Sequence, residues 1–158
     1  MKFTNGAQEL TYGRVKDYLN SSVFKQTLRA SDEQPHYDLL YQGTTLIELQ
    51  VLPWETHPYP ELEMAIVRAG SCIAIGCGPE LDLLQFLLDE NRKIRFGAFQ
   101  TDDADTVFFA NRILGGKHMD PMELEVCLLS VGAIATHYSN IIIDKFGGQR
   151  ALGVMLSS

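Results

Sequence analysis

The chain is short of the residues from which most chemical sites are built. Its three cysteines, Cys72, Cys77 and Cys127, form an odd set without CxxC spacing, which argues against a disulfide framework and a zinc knuckle and leaves buried, reduced thiols as the expectation. The histidines His36, His57, His118 and His137 fall in no HxH or HExxH arrangement, so no metal and no cofactor are expected. Cationic residues are also scarce. Lys and Arg number 13 against 20 Asp and Glu, a formal net charge of −7, and a surface of that sign repels phosphate backbones; no nucleic-acid partner is expected. No repeat of fixed period and no low-complexity tract occurs. The most apolar long stretch, residues 126–143, is interrupted by Ser130, Thr136, His137, Ser139 and Asn140, which a lipid-facing helix rarely tolerates together; a core helix is expected, and no membrane. The start, MKFTNGAQEL, lacks the apolar core of about 7–15 residues that a secretory signal carries, so cytoplasmic residence is the expectation.

What remains is ordinary globular material. With 158 residues, 46% apolar and 21% charged, the chain suits one domain over residues 1–158, and a domain near this size buries roughly 68–70% of the surface its unfolded chain exposes.

The hydrophobic pattern divides the chain into elements. Thr11 is an N-cap candidate, and Val15, Tyr18, Leu19 and Val23 fall at helical spacing, predicting a first helix that ends near Ala30. SDEQP breaks it, because Pro35 cannot continue a helix. From Tyr37 to Pro53 the period changes to two: a hairpin about Gly43, with Thr45, Ile47, Leu49 and Val51 on one face and Glu48 and Gln50 on the other. A proline loop follows, and residues 61–76 read either as one bent strand or as two short ones. Gly78 as N-cap, Pro79 at the first position, and Glu80 and Asp82 near the positive end of the dipole predict a second helix to about Glu90. Its leucines and Phe86 cover most of its circumference, so it needs cover on two sides.

Asn91 then closes the helix, since asparagine readily takes left-handed angles and bonds its side chain to nearby backbone. Residues 94–101 and 107–114 predict a second hairpin, with Gly97 marking a bend or a close approach. Asp120 as N-cap, Pro121 at the first position and Glu123 placed for a capping box open a last helix; Leu124, Cys127, Leu128, Val131, Ile134, Ala135, Tyr138, Ile141 and Ile142 form one stripe, and Gly147-Gly148 end it. The expected class is α+β: an antiparallel sheet of about five strands with helices packed across it, in the order α-β-β-β-α-β-β-α.

No motif carries a recognised chemistry. Ser22-Val-Phe-Lys25 has SxxK spacing without its companion motifs. Gly76-Cys77-Gly78 has Leu81 where a dinucleotide loop needs its third glycine, and Gly115-Gly116-Lys117 lacks the preceding spacing of a phosphate loop. Asp102, Asp103 and Asp105 lack the central Gly and distal Glu of a calcium loop and read as a solvated hairpin tip. Arg92, Lys93 and Arg95 read as a solvated helix end.

The positive signal is an excess of apolar faces. The second helix is apolar nearly all round, and the second hairpin offers Phe96, Phe99, Phe108, Phe109 and Ile113. One helical layer cannot cover all of this, so a second copy or an extended client is expected. Leu52, Trp54, Tyr59, Phe99 and Phe108 are the candidate peptide-binding or dimer surface; no catalytic residue is assigned.

LLDENRKIRFGAF, VFFANRILGG and the helix DPMELEVCLLSVGAIATHYSNII closing in FGG, in this element order, resemble the YbjN-like proteins of the type III secretion chaperone-like fold, and among them the small cyanobacterial members. The resemblance covers roughly Val15 to Gly148, with residues 84–116 and the last helix carrying it. It implies a small acidic homodimer that holds unfolded segments of client proteins, without catalytic residues, adding a client along exposed strand edges. Two other expectations stand beside it: a small-molecule sensor or enzyme with a pocket between the last helix and the sheet, lined by Cys127, His137 and Tyr138, or a fixed subunit of a larger assembly.

Overall fold

A computed structural model describes residues 1–78, 80–102 and 105–151. The sequence places α1 at Gly6–Ser21, β1 at Arg29–Ala30, β2 at His36–Tyr41, β3 at Thr45–Pro53, β4 at Ala65–Ile75, α2 at Leu81–Asn91, β5 at Ala98–Thr101, β6 at Thr106–Leu114 and α3 at Pro121–Phe146. The class is α+β as the patterning implies. The strands form one antiparallel sheet of six in the order β1-β2-β3-β4-β6-β5, one more than expected.

The additional strand comes from the first helix being shorter and earlier than its apolar stripe suggests. Asn5 caps α1, its side-chain oxygen accepting from the Gln8 N–H, while Thr11 lies inside the helix, donates to the Ala7 carbonyl and accepts from the Gly116 N–H. Ser22 ends the helix by donating to the Leu19 carbonyl and accepting from the Phe24 N–H, which leaves Val23 81% exposed. Arg29 and Ala30 then have the length to pair with Asp38 and Tyr37.

The first hairpin forms as patterned, with Ile47, Leu49 and Val51 buried; at its turn Gln42 and Gly43 take positive φ and the Thr44 N–H donates to the Tyr41 carbonyl. The open choice over residues 61–76 resolves as one strand, β4, with a bulge between Cys72 and Ala74. The bulge lets it pair with β6 to the end of the sheet. Glu80, not Gly78, is the N-cap of α2, and Pro79 lies outside the described residues.

Asn91 is the last helical residue of α2, but its backbone is not left-handed; its amide instead reaches β5, where Oδ1 accepts from the Phe99 N–H at 2.7 Å and Nδ2 donates to the Phe99 carbonyl at 3.3 Å. The reversal falls to Gly97, with φ 80 and a missing Cβ that would stand 2.6 Å from the Ala110 carbonyl oxygen and 2.8 Å from the Phe109 ring. The second hairpin therefore starts at Ala98, and Phe96 lies outside it, 68% exposed.

In α3, Asp120 accepts from the Met122 N–H, Pro121 takes the first turn and Gly147 ends the helix. Its 26 residues, about 39 Å, cross the sheet against β2, β3, β4 and β6. By length and composition α3 would pass as a membrane span, yet it buries Leu124, Cys127, Leu128, Val131, Ala135 and Ile142 against the strands. Each fully buried large apolar side chain stabilises the fold by roughly 1.5–3 kcal/mol relative to exposure. A Cβ on Gly132 would lie 2.4 Å from the Tyr41 ring, so this crossing needs a bare backbone there.

All three helices contribute to one core on one face of the sheet: Val15 and Leu19 from α1, Leu83 and Leu87 from α2, and the α3 stripe, against Tyr37, Leu39, Ile47, Leu49, Val67, Ala69, Phe99, Phe109 and Ile113. The side chains that alternate with these point the other way. No described helix lies on that second face.

Candidate functional site

The second face is a grid whose composition is set by register. Along β3 it carries Leu46, Glu48, Gln50 and Leu52; along β4, Ile66, Arg68, Gly70 and Cys72; along β6, Phe108, Ala110, Arg112 and Leu114; along β2, His36, Asp38 and Leu40. β5 adds Ala98 and Gln100. Pairing these residues across the strands gives four rows of different chemistry. At one end Leu52, Ile66 and Leu114 make an apolar row. Next come His36, Gln50, Arg68 and Arg112. Then come Asp38, Glu48, Gly70, Ala110 and Ala98. At the far end Leu40, Leu46, Cys72 and Phe108 are apolar again, with Leu46 and Cys72 adjoining one small cleft.

The two arginines of the middle rows make no ion pair within the described chain. Arg68 and Arg112 are cross-strand partners, and among the described residues neither has a carboxylate within ion-pair distance. The Arg68 guanidinium lies over Gly70, 3.1 Å from where a Cβ would be, and its Nη1 donates to Gln50 Oε1 at 3.4 Å. Burial and the adjacent Arg112 lower the pKa of Arg68, while Glu48 raises it. His36 pairs with Asp38 at 2.8 Å.

The five proposed surface residues separate. Leu52 and Phe108 both lie on the bare face but in opposite end rows; six residues along β6, about 20 Å, separate the row of Leu114 from Phe108. Trp54 sits just past β3, extends its ladder by donating to the Met64 carbonyl, and tilts its ring against His57. Tyr59 is 53% exposed in the proline loop. Phe99 is not a surface residue: it is 5% exposed, edge-on to Phe109 and Tyr138 in the core, because β5 begins after Gly97 and its alternation carries Phe99 inward.

The expected strand edges are occupied along β2 and at Phe99 of β5. On the outside of β2, Thr27 Oγ1 accepts from the Leu40 N–H, β1 pairs with Tyr37 and Asp38, and the Ser31 N–H donates to the His36 carbonyl. On the outside of β5, the Asn91 amide satisfies both backbone groups of Phe99, which point away from β6. A capped edge offers no continuous ladder for an added strand, so docking by edge addition is disfavoured and the face is the available surface.

A second apolar surface lies on α2. Phe86 meets Phe146, and Glu90 accepts from the Tyr138 hydroxyl, so that flank of the helix faces α3. Leu81, Leu84 and Leu88 follow one another on the opposite flank; Leu81 is 76% and Leu88 66% exposed. The cover expected on two sides is present on one. A cleft of about 430 Å³ opens between α1 and the links on either side of the sheet, lined by Leu10, Leu62, Met64 and Leu114 among others.

Cys127, His137 and Tyr138 do not share a pocket. Cys127 is buried against the sheet and its thiol is pushed up to about 12 by burial, His137 is exposed, and Tyr138 lies edge-on to Phe99 with its hydroxyl, pushed up to about 12 by burial and by Glu90, on that carboxylate. Burial likewise raises Cys72 to about 12, with Glu48 and Asp102 adding to it. Cys77 donates to the Gly147 carbonyl, and Ser71 and Ser139 donate to the carbonyls of Leu46 and Ile73. Ser22 is a helix end rather than a nucleophile beside Lys25. Among the described residues no three His, Cys, Asp or Glu side chains assemble as a metal set; Asp103 lies outside them.

No protein-family model matches the chain, and no curated protein does so either.

Proposed function

We propose that this chain is a non-enzymatic protein-binding module, a chaperone or adaptor that works as a homodimer in the cytoplasm and belongs with the YbjN-like, type III secretion chaperone-like proteins it resembles. One observation carries the reading: the fold leaves two separate apolar surfaces only partly covered, the end rows of the bare sheet face, where Leu114 is exposed and its neighbours are half-buried, and the flank of α2 that exposes Leu81 and Leu88. A small monomer seldom leaves so much apolar area to water unless a partner covers it. The state of its nucleophiles supports the non-enzymatic part. Its thiols are held protonated by burial, and its buried serine hydroxyls are engaged with main-chain carbonyls.

A helical stripe of three leucines, with Leu81 and Leu88 exposed and Leu84 half-buried, suits an extended apolar segment of an unfolded chain, which gains contact area without needing a free strand edge. The acidic net charge keeps such a protein soluble while the stripe stays accessible. The test uses a permanently unfolded, reduced and alkylated polypeptide as probe. The wild-type chain is expected to bind it, and the pair Leu81→Asp with Leu88→Asp to weaken binding at least about tenfold with unchanged circular dichroism. Failure of the wild-type chain to bind at tens of micromolar overturns the reading.

A further inference from the structure

We infer that the bare face of the sheet is the surface on which two copies of this chain meet, face to face, about a two-fold axis lying in the interface and running across the strands between the arginine row and the carboxylate row. This rests on the homodimeric reading above and deepens it by assigning the surface.

The order of rows decides the geometry. Along the strands the face reads apolar (Leu52, Ile66, Leu114), cationic (Arg68, Arg112), anionic (Asp38, Glu48) and apolar (Leu40, Leu46, Cys72, Phe108). A two-fold rotation about an axis parallel to the rows and midway along the strands sets the first row of one copy on the last row of the other, and the cationic row on the anionic one. The same chain thus supplies both halves of each complement, as an isologous interface requires. An axis along the strands would instead set the cationic row on the cationic row and the anionic row on the anionic row, which like-charge repulsion disfavours.

Size follows the same rule as charge. The long side chains Arg68 and Arg112 would lie over Gly70 and Ala110, where the surface is lowest. Arg68 already inclines over its own Gly70, towards that midline. The charge on the face is nearly balanced, although the whole chain carries −7, so two copies repel least when they meet here. Five strand spacings by four rows give an area of about 24 Å by 24 Å, or roughly 600 Å². That is of the same order as the ~800 Å² per partner of a standard interface. Stacking the faces leaves the Leu81, Leu84, Leu88 stripes outward, one on each copy, free for a client.

Charge reversal tests the geometry on the full chain. Arg68→Glu sets a carboxylate one strand spacing from the partner's Glu48, and Glu48→Arg sets an arginine one strand spacing from the partner's Arg68; each single variant is expected to dimerise about 10–100-fold more weakly than wild type by sedimentation equilibrium. Mixed in equal amounts, the two variants present each changed residue to an opposite charge on the partner, and the mixture is expected to recover dimer affinity to within about tenfold of wild type. Neighbouring charges within one copy cannot produce that recovery, so it reports a contact between copies. Phe108→Asp, set against the apolar row of Leu52, Ile66 and Leu114, is a second variant that weakens the dimer without touching the charges, and thermal melts of all variants exclude unfolding as the cause.

Single variants that dimerise like wild type overturn the inference and move the interface elsewhere. So does a folded mixture that stays monomeric. A wild-type chain that is monomeric at 100 µM, or whose bare-face amides gain protection only when the unfolded probe is added, also overturns it and gives the face to a client. Binding of the unfolded probe through α2 is read separately, so loss of this interface and loss of the protein-binding function are distinguishable outcomes.

Discussion

The two faces of the sheet are built from the same strands at alternate positions, and they obey different rules. On the covered face, Leu39, Ile47, Leu49, Val67 and Phe109 are fully buried and the rows from β2 to β6 are mostly apolar, with Ser71 and Asn111 buried among them. On the bare face each row changes chemistry from its neighbour and most side chains are half-buried; Leu46, Glu48 and Cys72 adjoin Arg150 and Ala151 at one end, and Leu114 shares a cleft with Leu10 and Leu62 at the other. A largely apolar face serves a core, where most apolar neighbours are acceptable and density matters. Alternating rows serve recognition, where register matters.

The largest effects that sharpen this contrast belong to the covered face. Leu49→Ala is expected to cost about 2–5 kcal/mol in urea unfolding, whereas Leu52→Ala, three residues along the same strand, costs under ~1 kcal/mol at concentrations where the chain is monomeric. Equal losses at the two positions would mean that the bare face is covered within the monomer. Gly132→Val, which drives a side chain into the Tyr41 ring, is expected to cost roughly 1–3 kcal/mol by the same measurement.

Asn91→Ala leaves the backbone of Phe99 uncapped and is expected to cost about 1–2 kcal/mol while raising aggregation at the β5 edge, followed by light scattering. Asn91→Asp keeps the acceptor and loses the donor, so it falls between the two.

Thiol chemistry distinguishes the faces more finely. Burial raises Cys127 and Cys72 from an ordinary value near 9 to about 12. The unfolded chain therefore releases these protons first as pH rises. Stability from the neutral thiols is fully present below pH 9 and declines from there towards 12, and Cys127→Ala should flatten that decline in pH-dependent melts. Alkylation should reach Cys72 in the folded monomer slowly and Cys127 only on unfolding. Smallest of all, Tyr37→Phe removes a buried hydroxyl that has no hydrogen-bond partner among the described residues, and stability should be unchanged or rise by up to ~1 kcal/mol.

Local chemistry made much of this legible. Asp120-Pro121 and Gly147 bound α3 to the residue, and the period-two run of Thr45 to Val51 identified the covered side of β3. Gly97 marked a close approach correctly because a missing side chain leaves a trace in a strand pattern. The start of α1 is not legible locally, because Asn5 and Thr11 are both good caps and Gly116, more than a hundred residues away, holds Thr11 inside the helix. Phe99 reads as surface in the sequence because a strand drawn from Ile94 has no reason in its own residues to begin at Ala98.

By itself the sequence determined the elements, their class and the two-sided alternation of each strand, because caps, turn residues and hydrophobic period act over a few neighbouring residues. Which face the helices would cover, which edge Asn91 would cap and which rows would lie side by side were decided only in the tertiary structure. Those outcomes depend on register between strands distant in sequence, and a shift of one residue would exchange the core for the bare face.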